Sequence, residues 1–83
     1  MINATTTLQE LFDTAVSTLK EVETGEVFIV KELFRGFEWN RIPKALRTKL
    51  GSMVFAYANG DVGSLEIEPL DKTPQNQQKY KKL

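Results

Sequence analysis

Hydrophobic positions near the start of the chain recur at intervals of three and four residues. Across residues 8–22, these positions fall on one stripe of a helix. Thr7 precedes the run and Glu10 follows three positions later, which is the spacing of a capping box. Gly25 is a residue type that commonly ends a helix. The pattern therefore predicts an amphipathic helix over about residues 7–23.

The next stretch reads as a strand followed by a short helix. Residues 26–30, "EVFIV", are rich in β-branched and aromatic types and predict a strand. The following six residues have room for one or two helical turns, with Leu33 and Phe34 facing inward. Residues 37–42 then form a connection that carries Trp39. We expect this tryptophan in the core, with a surface anchor as the alternative.

A second long helix is predicted over residues 43–58. Pro43 suits the first turn of a helix, where its missing N–H costs nothing. Asn59 and Gly60 close the segment. The apolar positions that recur at helical spacing are Leu46, Leu50, Met53, Val54 and Tyr57.

The last third of the chain has the character of a β-hairpin. In "SLEIEPL", Leu65 and Ile67 alternate with two glutamates, which predicts a half-buried strand with both apolar residues inward. Polar, turn-rich residues 71–78 separate this strand from residues 79–83, "KYKKL". We expect the latter to pair back as the second arm.

The predicted order is helix, strand, short helix, longer helix and two-stranded C-terminal hairpin, an α+β arrangement typical of winged-helix domains. There the first strand joins the hairpin in one sheet, and the consecutive helices form a helix-turn-helix. We expect a single winged-helix-like domain over residues 1–83. Its parts are an N-terminal helix (1–25), a strand with the helix-turn-helix (26–60) and a wing hairpin (61–83). The six-residue connection is longer than the 3–4-residue turn of a tight helix-turn-helix.

Composition argues against an enzyme. At 83 residues, 41% hydrophobic and 27% charged, the chain suits one small globular domain. It contains no cysteine and no histidine, so ordinary nucleophile–base pairs and zinc ligand sets cannot be assembled. No glycine-rich phosphate loop occurs. Glu66 and Glu68 form the one carboxylate pair, which we assign to a solvated strand face. We expect no metal and no cofactor.

A cytoplasmic location is the expectation from the remaining signals. No apolar run approaches the ~20 residues of a membrane span. The first ten residues lack the basic and apolar regions of a signal peptide. The absence of cysteine fits a reducing compartment.

Charge is divided unevenly along a chain whose net charge is zero. Residues 1–40 hold seven acids and three bases, a net charge of −4, while residues 41–83 hold eight bases and four acids, a net charge of +4. No acid occurs between Arg41 and Gly60. A polyanion responds to such a local basic face rather than to the total charge.

Duplex DNA is accordingly the predicted partner. A winged-helix geometry puts the helix over residues 43–58 in the recognition position, where its N-terminal residues meet base edges. We expect this helix and the basic hairpin to contact the duplex together. The residues expected near bases are Lys44, Arg47, Thr48 and Ser52. Those expected on phosphates are Arg41, Lys49, Lys79, Lys81 and Lys82.

Other functions stay open at this level. The same bases suit an ordinary solvated surface, and the winged-helix fold also serves protein-interaction adaptors. Phe55 projects about 160° from the apolar stripe. Either the hairpin or the first helix covers it, or it contacts a partner or a second copy in a homodimer. An oligomerising structural protein is a third alternative.

Scattered residues carry a family resemblance over about residues 26–83. They are Trp39, Ile42, Arg47, Leu50–Gly51, Phe55, Lys72–Thr73 and the terminal "QQKYKK". In this order they resemble a family of short bacterial and phage proteins labelled only as a domain of unknown function. The resemblance implies a phage or mobile-element setting and no particular activity.

Overall fold

Three helices and one three-stranded antiparallel sheet make up the computed structural model, which describes residues 2–3 and 5–83. Two residues of the predicted domain, Met1 and Ala4, lie outside the described residues. The α+β class and the order of the main elements are confirmed. The elements are α1 (Leu8–Leu19), β1 (Val27–Ile29), α2 (Gly36–Arg41), α3 (Lys44–Ala58), β2 (Ile67–Lys72) and β3 (Gln78–Lys82), with 3₁₀ turns at Val30–Leu33 and Gly63–Leu65.

The start of α1 is stabilised by the predicted capping box. The Thr7 hydroxyl accepts from the Glu10 N–H at 3.2 Å, and the Glu10 carboxylate accepts from the Thr7 N–H at 3.0 Å. The helix ends at Leu19, earlier than predicted. Gly25 lies beyond it in the turn to β1 with a φ of 93°, a left-handed conformation that favours glycine.

The predicted connection at residues 37–42 was wrong, because most of it is helix α2. The short helix expected before it is only a 3₁₀ turn, after which the buried Phe34 continues in extended conformation. Gly36 begins α2 rather than ending a helix. Ile42 precedes a proline, which disfavours helical backbone and ends α2 there. Only Ile42 and Pro43 therefore separate α2 from α3.

Helix α3 matches its predicted bounds to within one residue, with Pro43 as its N-cap. Leu50, Val54 and Ala58 are buried. The ring of Tyr57 meets that of Phe12 edge-on, with centroids 5.8 Å apart, and so joins α3 to α1. The opposite face of α3 is left to solvent.

Strand β3 lies in the middle of the sheet, in the order β1-β3-β2. Its Tyr80 is fully buried and sits opposite Phe28 of β1 and Pro69 of β2. The Phe28 and Tyr80 rings stack at 5.9 Å. Because successive side chains alternate across a strand, Lys79 and Lys81 lie on the other face of the sheet.

The predicted inward position of Leu65 was wrong. Its side chain is 78% exposed, whereas Ile67 is buried as expected. Gly63 explains the difference, since a Cβ there would lie 1.8 Å from the Tyr57 carbonyl oxygen. The chain makes a 3₁₀ turn against the end of α3 at this close approach, and β2 begins only after it.

The segment before α1 is held by α2. The Ile2 side chain is buried in the core. Its backbone N–H donates to the Glu38 carboxylate at 3.1 Å, and its carbonyl accepts from Arg41 Nη1 at 3.0 Å. In residues 2–3 and 5–83, no helix combines the length and apolar character needed to cross a bilayer.

Removal of the Tyr80 hydroxyl should not destabilise the fold. This hydroxyl is buried without a hydrogen-bond partner in the described chain, and burial raises the pKa of Tyr80 to about 12. A buried unpaired donor is unfavourable, so we expect Tyr80→Phe to match or exceed the wild type in urea unfolding. Tyr80→Ala should cost about 3–5 kcal/mol. A loss above about 1 kcal/mol in Tyr80→Phe would contradict this prediction.

The capping box should make stability depend on acid pH. The Thr7 backbone N–H, followed by its hydroxyl, lowers the pKa of Glu10 below its ordinary value of 4.5. The ionised Glu10 carboxylate therefore contributes fully to stability above pH 4.5. This contribution is lost as the pH falls through the lower pKa that Glu10 has in the folded state. Glu10→Ala should lower the melting temperature near neutral pH, and this gap should shrink at acid pH.

Thermal unfolding followed by circular dichroism across the pH range measures the gap. Glu21→Ala is the matched control for charge, because it removes an exposed carboxylate outside the capping box. A Glu10→Ala gap that stays undiminished at about pH 3 would contradict the assignment.

Candidate nucleic-acid interface

The exposed side of α3, the end of β1 and the hairpin loop enclose a groove of about 590 Å³, which we call the α3–hairpin groove. Its apolar lining is Ile29, Val30, Trp39, Phe55 and Tyr80. Its polar uncharged lining is Thr48, Ser52, Asn76, Gln77 and Gln78. Its charged residues are Lys31, Arg47 and Lys72, and Gly51 completes the lining. All the charge that lines the groove is therefore positive.

Arg47 is held in place at the groove by its own neighbours. Its Nε donates to the Ile42 carbonyl at 2.9 Å, and its guanidinium carbon lies 5.5 Å from the centre of the Trp39 ring. Stacking on an aromatic face and one fixed hydrogen bond restrict the side chain. The two terminal nitrogens make no hydrogen bond with the described chain and are available to an acceptor.

The outer face of α3 combines exposed cations with hydroxyl groups. Lys44, Thr48, Lys49 and Ser52 are all exposed. The Thr48 hydroxyl donates to the Lys44 carbonyl at 3.2 Å, and the Ser52 hydroxyl donates to the Thr48 carbonyl at 3.3 Å. Their hydrogens are used within the helix, so these hydroxyls present mainly acceptor lone pairs outward.

The first turn of α3 is electrostatically unfavourable as it stands. No side chain caps it and it contains no acid, whereas it carries Lys44 and Arg47. Positive side chains near a helix N-terminus oppose the helix dipole. An anion bound here would offset both the dipole and these charges.

Two of the predicted phosphate contacts have structural partners elsewhere. Arg41 donates to the Ile2 carbonyl and lies 5.0 Å from the centre of the Phe37 ring. Lys82 Nζ donates at 2.7 Å to the Leu19 carbonyl, at the C-terminus of α1, where a cation is favourable. Neither residue lines the α3–hairpin groove.

Two further lysines of the predicted set lie on the sheet face opposite Tyr80. Lys81 is paired across the sheet with Val27 of β1 and with Glu68 of β2. Opposite charges in such a cross-strand pair, here Lys81 and Glu68, stabilise neighbouring strands. Lys79 pairs with Ile29 on the same face. The hairpin thus approaches α3 through its loop and Lys72, not through these strand lysines.

Phe55 and Trp39 occupy the walls of the groove. Phe55 is 46% exposed, so neither the hairpin nor α1 covers it as one expectation required. Trp39 is half-buried against the core and packs on Phe34 with ring centroids 5.6 Å apart. The tryptophan therefore belongs both to the edge of the core and to the surface that α3 presents.

Sequence reasoning did not include Lys31 and Lys72 in the site. Lys31 follows β1 in a 3₁₀ turn, and Lys72 ends β2 just before the loop. That loop is closed by a 2.8 Å bond from the Thr73 N–H to the Gln77 carbonyl. The turn-rich composition of residues 73–77 was the available signal, since it marks the hairpin loop that lines the groove together with α3.

The acidic residues that the structure describes are not grouped as a metal site would require. Within the part of the chain that the structure describes, no three histidine, cysteine, aspartate or glutamate residues come together. Glu66 lies outside the groove, with one carboxylate oxygen buried and unpaired among the described residues. Burial, and then the charge of Glu66, raise the pKa of Tyr57.

Comparison with known proteins identifies one family. The model of the family described as "Domain of unknown function (DUF1413)" matches residues 13–82. This match spans all the elements that form the groove and most of α1. No curated protein and no solved structure matches the chain.

Proposed function

This chain belongs to the family of domains of unknown function DUF1413, and we propose that it binds duplex DNA as a winged-helix-like protein. In this proposal α3 enters the major groove and the hairpin loop follows the phosphate backbone. The observation that carries the proposal is the meeting of α3 and the hairpin loop on one side of the molecule, around a groove whose charged residues are all cations.

Connectivity supports the winged-helix assignment. The first strand pairs with the last, in the order β1-β3-β2, as the wing of such a domain requires. Helices α2 and α3 are consecutive, and the two residues between them, Ile42 and Pro43, are close to the 3–4-residue turn of a helix-turn-helix. The loop at residues 73–77 then stands where a wing tip would meet DNA.

The side chains of α3 suit the two tasks of a recognition helix, which are to contact base edges and to contact phosphates. Lys44 and Arg47 stand in its first turn, where they would reach base edges with Thr48 and Ser52 beyond them. Lys49 would flank the helix and Lys72 would extend from the hairpin toward phosphates. The unfavourable charge of the first turn supports the same proposal, because a phosphate would relieve it.

Binding should depend steeply on salt and on the cations of one face. We expect wild-type protein to bind random duplex DNA in fluorescence anisotropy at about 50 mM salt, with a log–log slope of about −0.9 per phosphate contact. Lys44→Gln and Lys72→Gln should each weaken binding about three- to tenfold, and removal of a phosphate contact should reduce the slope by about 1.

Lys81→Gln is the matched control, since it removes the same charge from the opposite face of the sheet. We expect it to bind like the wild type. Absence of binding at about 50 mM salt would refute the proposal. Equal losses in Lys72→Gln and Lys81→Gln would show that attraction is diffuse and that α3 and the loop form no interface.

A protein-interaction adaptor is the second candidate, favoured by the exposed ring of Phe55. Exposed aromatic residues in concave surfaces are frequent anchors of protein interfaces. Under this alternative, a protein that the wild type captures from a cell lysate is lost with Phe55→Ala and retained with Lys44→Gln. The reverse pattern, in which Lys44→Gln loses the partner and Phe55→Ala keeps it, would exclude Phe55 as the anchor.

A further inference from the structure

We propose that the α3–hairpin groove binds a small organic anion, one that joins a flat apolar body to a carboxylate, sulfonate or phosphate group. This site goes beyond DNA binding and does not depend on it. The groove volume of about 590 Å³ lies within the roughly 300–1,000 Å³ of small-molecule pockets. Its walls contain Trp39 and Phe55, whose rings suit a flat apolar ligand.

Charge complementarity determines the sign of the ligand. Lys31, Arg47 and Lys72 line the groove together, and no acid lines it with them. None of the three forms an ion pair with a described residue. Three cations around a partly apolar groove repel one another, and a bound anion would reduce that repulsion.

Arg47 gives the groove a prepared anion-binding group. The Ile42 carbonyl and the Trp39 ring already restrict its guanidinium, so little conformational freedom remains to be lost on binding. Its free terminal nitrogens offer the parallel donors that match a carboxylate or phosphate.

Gly51 leaves the α3 wall of the groove open. It lies inside α3, where glycine weakens a helix relative to alanine. A Cβ built there would meet no atom within 4 Å, so no packing within the chain requires glycine. The missing side chain instead leaves open space on the wall of the groove.

The apolar walls favour an organic anion over a bare one. Inorganic phosphate and a DNA backbone would use only the cations, whereas Trp39 and Phe55 add contact area for a flat body. Arg47 and Lys72 also belong to the proposed DNA interface. If that function holds, an occupied groove competes with the duplex.

Trp39 is the only tryptophan in the chain and lines the groove, so it can report occupancy. The probe is 1-anilinonaphthalene-8-sulfonate, with excitation of Trp39 and detection of energy transfer to the dye. N-Phenyl-1-naphthylamine has the same aromatic body without the sulfonate. We expect saturable transfer at one site and about tenfold weaker binding of the uncharged dye.

Two variants and one control locate the binding. Gly51→Leu places a side chain in the groove from α3 and should weaken binding of the sulfonate dye by more than about tenfold. Circular dichroism checks that this variant is folded. Lys72→Gln should weaken binding of the sulfonate dye about three- to tenfold and leave binding of the uncharged dye unchanged. Lys49→Gln removes a cation of the same helix outside the groove and should bind both dyes like the wild type.

Several results would overturn the inference. The first is that no energy transfer occurs, and the second is that folded Gly51→Leu binds the sulfonate dye as the wild type does. The third is that Lys49→Gln loses as much sulfonate-dye affinity as Lys72→Gln, and the fourth is that inorganic phosphate displaces the dye at low concentration. Should Gly51→Leu fail to fold, Lys72→Gln decides between the charged and uncharged dyes. Failure of DNA to bind would refute the proposed function alone, because dye binding is measured without DNA.

Discussion

The burial of Tyr80 in the middle of the sheet is the constraint on which the rest of the structure depends. β3 is bonded on both sides, and Tyr80 stacks on Phe28 while facing Pro69. A slip of one residue would exchange the two faces of the strand and expose this ring. The register therefore keeps Gln78 and Lys82 on the helix side and directs Lys79 and Lys81 away from it. It also fixes where the hairpin loop meets α3.

The positive groove follows from that register together with the short link between α2 and α3. The loop brings Lys72 to one wall, and α3 supplies Arg47 on another, stacked against Trp39 of α2. Other cations lie outside this site, since Lys82 binds the Leu19 carbonyl at the end of α1 and Lys81 is paired across the sheet with Glu68. A chain of zero net charge thereby presents a groove whose charged lining residues are all cations, which suits the anionic partners proposed above.

Local patterns predicted the two long helices well. They failed at two short segments whose backbone conformation depends on packing against other parts of the chain. The capping box of α1 and the apolar stripe of α3 are both present as expected. A short helix was expected over the six residues that end at Gly36, but Gly36 begins α2, because the chain before it is extended to bury Phe34. Leu65 was placed inward by strand alternation, yet the close packing of Gly63 on α3 delays the strand.

The amino-acid sequence by itself determined the α+β order, both long helices and the cationic character of α3, because these depend on spacing within a few residues. Only the tertiary structure decided which cations share a face. Lys72 and Lys31 line the groove together with Arg47, while Lys79 and Lys81 do not, although all four lysines look alike along the chain. The physical reason is that strand parity and loop position depend on pairing between segments far apart in sequence. Two helices, two 3₁₀ turns and the whole of β2 lie between β1 and β3 along the chain.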